Sequence, residues 1–205
     1  MSVPMGDRDM HLLDARIVAA QPYVAARIRE VATLTGGEGF DAVFDAPIRA
    51  TFVKILRSIG AHEGTIWLLD EDRSVLIPRF NNGPNAANFV GHYRQSLRAG
   101  MISMVVSTEQ PICENDVYKS KQQDGELDRR LSLLTCAMLA VPFYFAGELR
   151  GVLSAVQLKA VGSTAPEPPG FTPQHLESLQ LAATVLSRLV DQRLYCAALG
   201  LEGLD

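Results

Sequence analysis

Cysteine and histidine are among the residue types in this chain that could act as nucleophiles or metal ligands. The three cysteines, Cys113, Cys136 and Cys196, are widely separated and form no CxxC motif. The four histidines show no HxxxH spacing, and the sequence has neither a glycine-rich phosphate loop nor a nucleophile elbow. The sequence therefore predicts no metal site. An odd number of separated cysteines is also more typical of a reducing compartment than of a disulfide framework.

Helices are predicted at both ends of the chain, because apolar side chains recur there at three- and four-residue steps. The first predicted helix covers residues 7–34, where Pro22 predicts a kink or a break into two helices. A second helix is predicted over residues 41–59. The last helix is predicted to start with Thr172 as its N-cap and Pro173 at its first position.

Between these helices, β-rich runs and turn residues predict two hairpins. Residues 65–69 and 75–80 form the first, and residues 138–145 and 149–158 form the second. The intervening insert is predicted to hold short helices over residues 86–98, 100–108 and 126–134 and a strand over 111–113. Adjacent hairpins predict an α+β fold with a central antiparallel sheet, helices on one face and the irregular insert on the other.

The composition excludes several function classes. The chain has 205 residues, of which 47% are hydrophobic, and a formal net charge of -4. A chain with this charge does not have the basic surface that binding to nucleic acids or anionic membranes requires. The longest apolar run, residues 133–146, is too short to span a bilayer, and no basic segment followed by an apolar core opens the chain. We expect a cytoplasmic protein that binds neither nucleic acid nor membranes.

Four short motifs, in this order, resemble the GAF domain, a widespread family of sensory and regulatory modules. They are Trp67-Leu68-Leu69-Asp70; residues 100–111, similar to a helix ending in T-G-x-P with Glu109 in place of the glycine; Asn115-Asp116-Val117; and Leu139-Ala140-Val141-Pro142-Phe143 followed by Gly147 and Gly151-Val152-Leu153. The resemblance implies a fold like that of profilin and PAS domains over residues 37–200, with a helical extension at 1–36 and a tail at 201–205.

The resemblance also implies a ligand cavity between the sheet and the insert. By similarity to cyclic-nucleotide-binding members, its lining would include Thr65, Phe80, Asn81, Ile102, Ser103, Asp128, Thr135 and Ser154. Phe80 would stack on a planar ring, and backbone N–H groups near Ile102 and Ser103 would meet an anion. The alternative is that Phe80 belongs to the core and the polar side chains are solvated.

The ligand itself is left open by the sequence. Where cyclic-nucleotide members carry Asn-Lys, Phe and Asp-Glu, this chain has Gln157-Leu158, Phe171 and His175-Leu176. A nucleotide is therefore one option, and no cofactor is assigned. His92 is the histidine placed to enter the cavity, where it would suit haem ligation, with exposure or loop packing as the alternative.

An enzymatic alternative comes from members that reduce free methionine sulfoxide. Their cysteines lie in G-V-C-G and H-x-A-C-D motifs, but residues 100–103 here read Gly-Met-Ile-Ser and the second motif is missing. Buried structural roles are predicted for Cys113 and Cys136, with a redox pair as the alternative. We expect a protein that is not an enzyme.

The apolar stripes on the first and last helices predict a homodimer held by a four-helix bundle. Packing of these stripes on the domain's own sheet is the alternative. Because 205 residues leave no room for an output domain, a signalling partner is expected. The predicted function is a sensor that binds a small molecule and signals through its terminal helices. A thiol-dependent reductase and a ligand-free interaction scaffold are the alternatives.

Overall fold

The computed structural model describes residues 15–35 and 39–199. Its helices are α1 (Ala15–Thr35), α2 (Phe40–Val43), α3 (Ala46–Ser58), α4 (Met101–Thr108), α5 (Glu126–Leu131) and α6 (Pro173–Leu199). Its strands are β1 (Glu63–Leu69), β2 (Val75–Asn81), β3 (Gln95–Ser96), β4 (Ile112–Glu114), β5 (Leu133–Phe145) and β6 (Glu148–Ala160). Residues 1–14 and 36 of the predicted extension, and the predicted tail at 201–205, lie outside the described residues.

Six strands form one antiparallel sheet in the order β3-β2-β1-β6-β5-β4. Both predicted hairpins are present. In the second, Val141 lies opposite Leu153 and Pro142 lies opposite Val152. The two hairpins are joined because β1 pairs with β6. The predicted α+β class and antiparallel sheet are confirmed.

Successive residues of each strand face two different layers, because side chains alternate across a sheet. On one face Ile66 and Leu68 of β1 join a core formed with α2, α3 and α6. On the other face Trp67 and Leu69 pack with Phe89 of the insert and with α4. The prediction that helices cover one face and the insert the other is therefore confirmed.

Two helix predictions need correction. α1 is a single helix that contains Pro22, so the predicted break into two helices is wrong. Residues 18–22 are exposed, and water can therefore reach the carbonyl that the proline leaves unpaired. The helix predicted over residues 41–59 is interrupted at Asp45, whose side chain accepts a hydrogen bond from the Ile48 N–H at 3.1 Å and N-caps α3.

The helix predicted over residues 86–98 is also wrong. Only a 3-10 turn at Ala86–Asn88 and the two-residue strand β3 are regular there. Single helical turns remain where the Val90 and Tyr93 N–H groups donate to the Ala86 and Phe89 carbonyls. They do not join into a helix, because the Gly91 N–H between them donates to the Pro78 carbonyl of β2 at 2.7 Å. Pro78 lies beside a register shift between β1 and β2, where its missing N–H interrupts no regular ladder.

The last helix, α6, has two apolar faces. Its predicted stripe, which includes Leu179, Leu186 and Val190, is buried against the domain's own sheet and helices. That stripe therefore supplies packing within the domain. A second set of apolar side chains lies on the opposite face and is exposed: Leu181 (65%), Val185 (39%), Tyr195 (49%) and Leu199 (53%). None of the described helices is both long and apolar enough to cross a bilayer.

Candidate ligand-binding site

A cavity of about 90 Å³ lies between the sheet and the insert. Its floor comes from three neighbouring strands, with Thr65 and Trp67 from β1, Ser154 and Val156 from β6, and Thr135 from β5. The register explains this grouping, because Thr65 lies directly opposite Ser154 and both point to the insert side. Helices α4 and α5 cover the floor.

Six of the predicted site residues line this cavity: Thr65, Asn81, Ile102, Asp128, Thr135 and Ser154. Phe80 lies on the opposite face of the sheet, where its ring packs against Phe44 and Phe52. Phe80 and Asn81 are consecutive in β2, so only one of them can face the cavity. The predicted stacking role of Phe80 is therefore wrong, and its alternative role in the core is correct.

Two further predicted residues also lie away from the cavity. The Ser103 hydroxyl donates a hydrogen bond to the Ser96 carbonyl at 2.7 Å and borders a separate surface groove. His92 is exposed, and its neighbour Tyr93 is buried instead, with its ring at 6.2 Å from that of Trp67. Neither residue is placed to contact a ligand in this cavity.

Glu63 is a cavity residue that the sequence interpretation missed. It begins β1, and its side chain is 7% exposed. Asn81 Nδ2 donates to Glu63 Oε2 at 3.3 Å and to Thr65 Oγ1 at 2.9 Å. Burial raises the pKa of Glu63 above 4.5, although the Asn81 hydrogen bond and the nearby His62 oppose the shift. The two-residue period of residues 63, 65 and 67 is the signal that could have identified Glu63.

Gly83 leaves the space that the Glu63 carboxylate occupies. A Cβ atom at residue 83 would overlap that carboxylate. The backbone N–H of Gly83 also donates to Asn81 Oδ1 at 2.6 Å, which orients the amide towards Glu63 and Thr65. The turn after β2 thus positions the polar end of the cavity.

Asp128 attaches α5 to the sheet. Its Oδ2 accepts hydrogen bonds from the Thr135 N–H at 2.8 Å and from Gln123 Nε2 at 2.9 Å, and its Oδ1 accepts from Thr135 Oγ1 at 2.8 Å. These contacts engage both oxygens of the carboxylate. Asp128 therefore holds the cover of the cavity in place, a role that the sequence interpretation did not assign to it.

The remaining polar side chains in the site are also bonded within the protein. Trp67 Nε1 donates to Ser154 Oγ at 2.9 Å. Gln95 Nε2 donates to Asp124 Oδ2 and to the Ala99 carbonyl, both at 3.0 Å. These bonds fix the floor and the roof before any ligand binds, which is the condition for a pre-formed site.

The cysteines do not contribute to this site. Cys113 is exposed on the edge strand β4, so its predicted burial is wrong, whereas Cys136 on β5 is buried as predicted. Cys113 pairs with Leu139, three residues from Cys136, which separates the two cysteines by roughly 10 Å along the strand. A disulfide needs closer backbones. Desolvation raises the pKa of both thiols, although only partly at the exposed Cys113, where the neighbouring Glu114 carboxylate adds to the shift; a raised pKa opposes thiolate formation.

A family model described as "GAF domain" matches residues 48–191. No curated protein matches the sequence. A similar solved structure is the GAF domain from a phosphoenolpyruvate-protein phosphotransferase of Coxiella burnetii, with 18% identity, a TM-score of 0.59 and coverage of 89% of this chain and 98% of that chain.

Two other solved structures have a similar fold. The GAF domain from an Acinetobacter phosphoenolpyruvate-protein phosphotransferase has 19% identity, a TM-score of 0.57 and coverage of 88% of this chain and 97% of that chain. The free methionine-R-sulfoxide reductase from Neisseria meningitidis, in complex with its substrate, has 16% identity, a TM-score of 0.52 and coverage of 93% and 99%. At these identities the likeness concerns the fold.

Proposed function

This chain belongs to the GAF domain family, and from that premise we propose that it is a regulatory protein that binds a small molecule between its sheet and its insert. The observation that carries the proposal is the pre-formed cavity, in which the buried Glu63 accompanies an otherwise largely apolar lining. A mostly apolar cavity with a few fixed polar groups is the usual form of a small-molecule site.

The ligand in this proposal is compact. Sites for drug-sized molecules have volumes of about 300–1,000 Å³, well above the 90 Å³ of this cavity. Phe80 is not available to stack on a base, and no Lys or Arg among the described lining residues could pair with a phosphate. These observations support a ligand smaller than a nucleotide.

The proposed activity is binding without catalysis. Neither Cys113 nor Cys136 lines the cavity, so no described thiol is placed to react with a molecule bound there. The Neisseria reductase shares the fold, but a fold hosts many unrelated functions. The chemistry of the lining residues thus supports a sensor more than a thiol-dependent reductase.

Native mass spectrometry and thermal shift against a panel of small metabolites test this proposal. Val156→Phe adds a ring from the cavity floor and should abolish every ligand-dependent shift, because the enlarged side chain occupies the cavity. Val161→Phe is the matched control, since Val161 is 67% exposed on the loop after β6. Ligand shifts that persist in Val156→Phe, or a panel without any binder, would contradict the proposal.

The proposed assembly is a homodimer formed through the exposed apolar face of α6. Leu181 and Val185 lie on this face, and Tyr23, which is 80% exposed, belongs to α1, a helix that contacts α6. Burial of these side chains in a second copy would remove apolar surface from water. A change in the cavity would reach this interface through β6, where Ser154 faces the cavity and the adjacent Leu153 faces the core with α6.

Light scattering after size-exclusion chromatography tests the dimer. The double variant Leu181→Glu, Val185→Glu should elute as a monomer with an unchanged far-UV spectrum, because both positions are exposed within one chain. Val161→Glu introduces a glutamate at an exposed position elsewhere and should remain dimeric. A monomeric parent protein, or a double variant that stays dimeric, would contradict this interface.

A further inference from the structure

The charged side chains that line the cavity are all acidic. Glu63, Asp124 and Asp128 line it, whereas none of its described lining residues is Lys, Arg or His. A carboxylate or phosphate on the ligand would find no cationic partner there and would face three acidic side chains. The cavity therefore favours a ligand that carries positive charge.

The three carboxylates differ in how much of their hydrogen-bonding capacity the protein already uses. Asp128 accepts three hydrogen bonds, and Asp124 accepts one on each oxygen. Glu63 accepts a single bond, at 3.3 Å on Oε2, and no described residue donates to its Oε1. Because a carboxylate can accept about four hydrogen bonds, Glu63 retains the most capacity for a ligand.

Because Glu63 is buried, the unused hydrogen-bonding capacity of its carboxylate affects the free energy of ligand binding. Glu63 is 7% exposed, and desolvation of its carboxylate raises its pKa. Desolvation of a carboxylate costs free energy in the ligand-free protein, and a cation bound to it would offset that cost. Its position is also well defined, since Gly83 leaves the space for it and Asn81 holds one oxygen.

The other lining residues favour an organic cation over a metal ion. Among the residues that the structure describes, no group of three or more His, Cys, Asp or Glu is arranged to hold a metal. Apolar side chains, including Leu131 and Met138, also line the cavity, and Trp67 adds an aromatic ring that can attract a cation. The volume of about 90 Å³ limits the ligand to a short chain.

We propose that the ligand is a compact aliphatic amine whose ammonium group binds the Glu63 carboxylate and whose chain packs among the apolar side chains. This inference rests on the proposed function, because it specifies the ligand class of the same cavity. The proposed ligand class excludes amino acids, because their own carboxylate would have no cationic partner in the lining.

Trp67 provides the assay, because it is the single tryptophan of the chain and lines the cavity. Its fluorescence is titrated at constant ionic strength with n-butylammonium chloride, 1-butanol or sodium butyrate. The amine should bind at least about tenfold more tightly than the alcohol, and butyrate should not saturate. Glu63→Gln should weaken amine binding by at least about tenfold. Glu71→Gln, a matched change in the exposed turn after β1, should leave it unchanged.

Gly83→Ala is a second test, because it displaces the same carboxylate without a change of charge and should also weaken amine binding. Equal affinities for the amine and the alcohol, unchanged amine affinity in Glu63→Gln, or no amine binding at all would each overturn the ammonium assignment. The proposed function would survive those results if the metabolite panel still yields a binder that Val156→Phe excludes. It fails together with the assignment only if the panel also yields none.

Discussion

Replacement of Asp128 by alanine should open the cover of the cavity while the sheet stays folded. Asp128 is the acceptor for both the N–H and the hydroxyl of Thr135, which is 4% exposed. It also accepts a hydrogen bond from Gln123, in the loop that leads into α5. Alanine removes all three bonds at once and leaves two buried donors on β5 without an acceptor.

The cost follows from those two donors. A buried donor that loses its partner costs about 1–3 kcal/mol. Water can replace part of the loss once α5 moves, so we expect a decrease of about 2–4 kcal/mol in the free energy needed to open residues 120–131. Asp128→Asn retains the shape and one acceptor oxygen, and it should therefore cost less than alanine.

Hydrogen exchange measured by mass spectrometry and NMR tests this prediction. A decrease of about 2 kcal/mol corresponds to exchange of the Thr135 amide that is about 30-fold faster. Amides of β1 and β6 should keep their protection, which distinguishes local opening from global unfolding. Thr135→Val removes only the hydrogen bond from the Thr135 hydroxyl. It serves as a control, in which the increase in the exchange rate should be smaller than in Asp128→Ala. Unchanged exchange at Thr135 and over α5 in Asp128→Ala would refute the assignment of Asp128 as the attachment of the cover.

Three further predictions concern pH, backbone packing and thiol reactivity. Burial raises the folded-state pKa of Glu63 above its unfolded value of about 4.5. The stability of the fold should therefore decline as pH rises from that value towards the folded-state pKa. Glu63→Gln should remove this decline in thermal melts between about pH 4 and 8. A variant that retained the same pH dependence would contradict the prediction. Gly151→Ala should destabilise the fold by about 1–3 kcal/mol in urea unfolding, because a Cβ would overlap the Trp67 carbonyl oxygen on the paired strand. An unchanged urea concentration at the unfolding midpoint would contradict this prediction. Iodoacetamide should modify the exposed Cys113 before the buried Cys136 in peptide maps of the folded protein, and equal rates would argue against the described burial.

The sheet and the terminal helices could be predicted because their signals are local. Alternation and turn residues identified both hairpins, and Thr172 indeed caps α6, since its Oγ1 accepts a hydrogen bond from the His175 N–H at 3.3 Å. The helix boundary at Asp45 was missed because apolar spacing continues across it. A side-chain cap ends one helix and begins another there without a change in that spacing.

The insert could not be predicted in the same way, because contacts distant in sequence determine it. Residues 86–98 carry apolar side chains that suit a helix, but Phe89 and Tyr93 are buried against Trp67 of β1. Burial of these aromatic rings on the sheet outweighs the weak helical preference of the segment. The exposure of His92 follows from the same packing, since the inward position is taken by its neighbour.

For the site, six of the nine predicted residues line the cavity, and the prediction did not take into account that side chains alternate along β2. The resemblance placed both Phe80 and Asn81 in the cavity, although neighbouring residues in a strand face opposite ways. The same rule, applied to β1 from Thr65, selects Glu63. The role of Asp128 depends on hydrogen bonds between α5 and β5, which no local pattern in the sequence reports.

The alternation of side chains along β1 restricts which sequence changes proteins with this fold can accept. Glu63, Thr65 and Trp67 line the cavity, while Ile66 and Leu68 lie in the core with the helices. A one-residue shift in the register of the whole strand would exchange these two sets and bury Glu63 in the core among the phenylalanines. Changes of chain length should be tolerated better between β2 and β3, where the backbone is irregular apart from one 3-10 turn. Descendants of such a chain can therefore acquire new ligand preferences by remodelling this segment, while the strands beneath it change only by substitution.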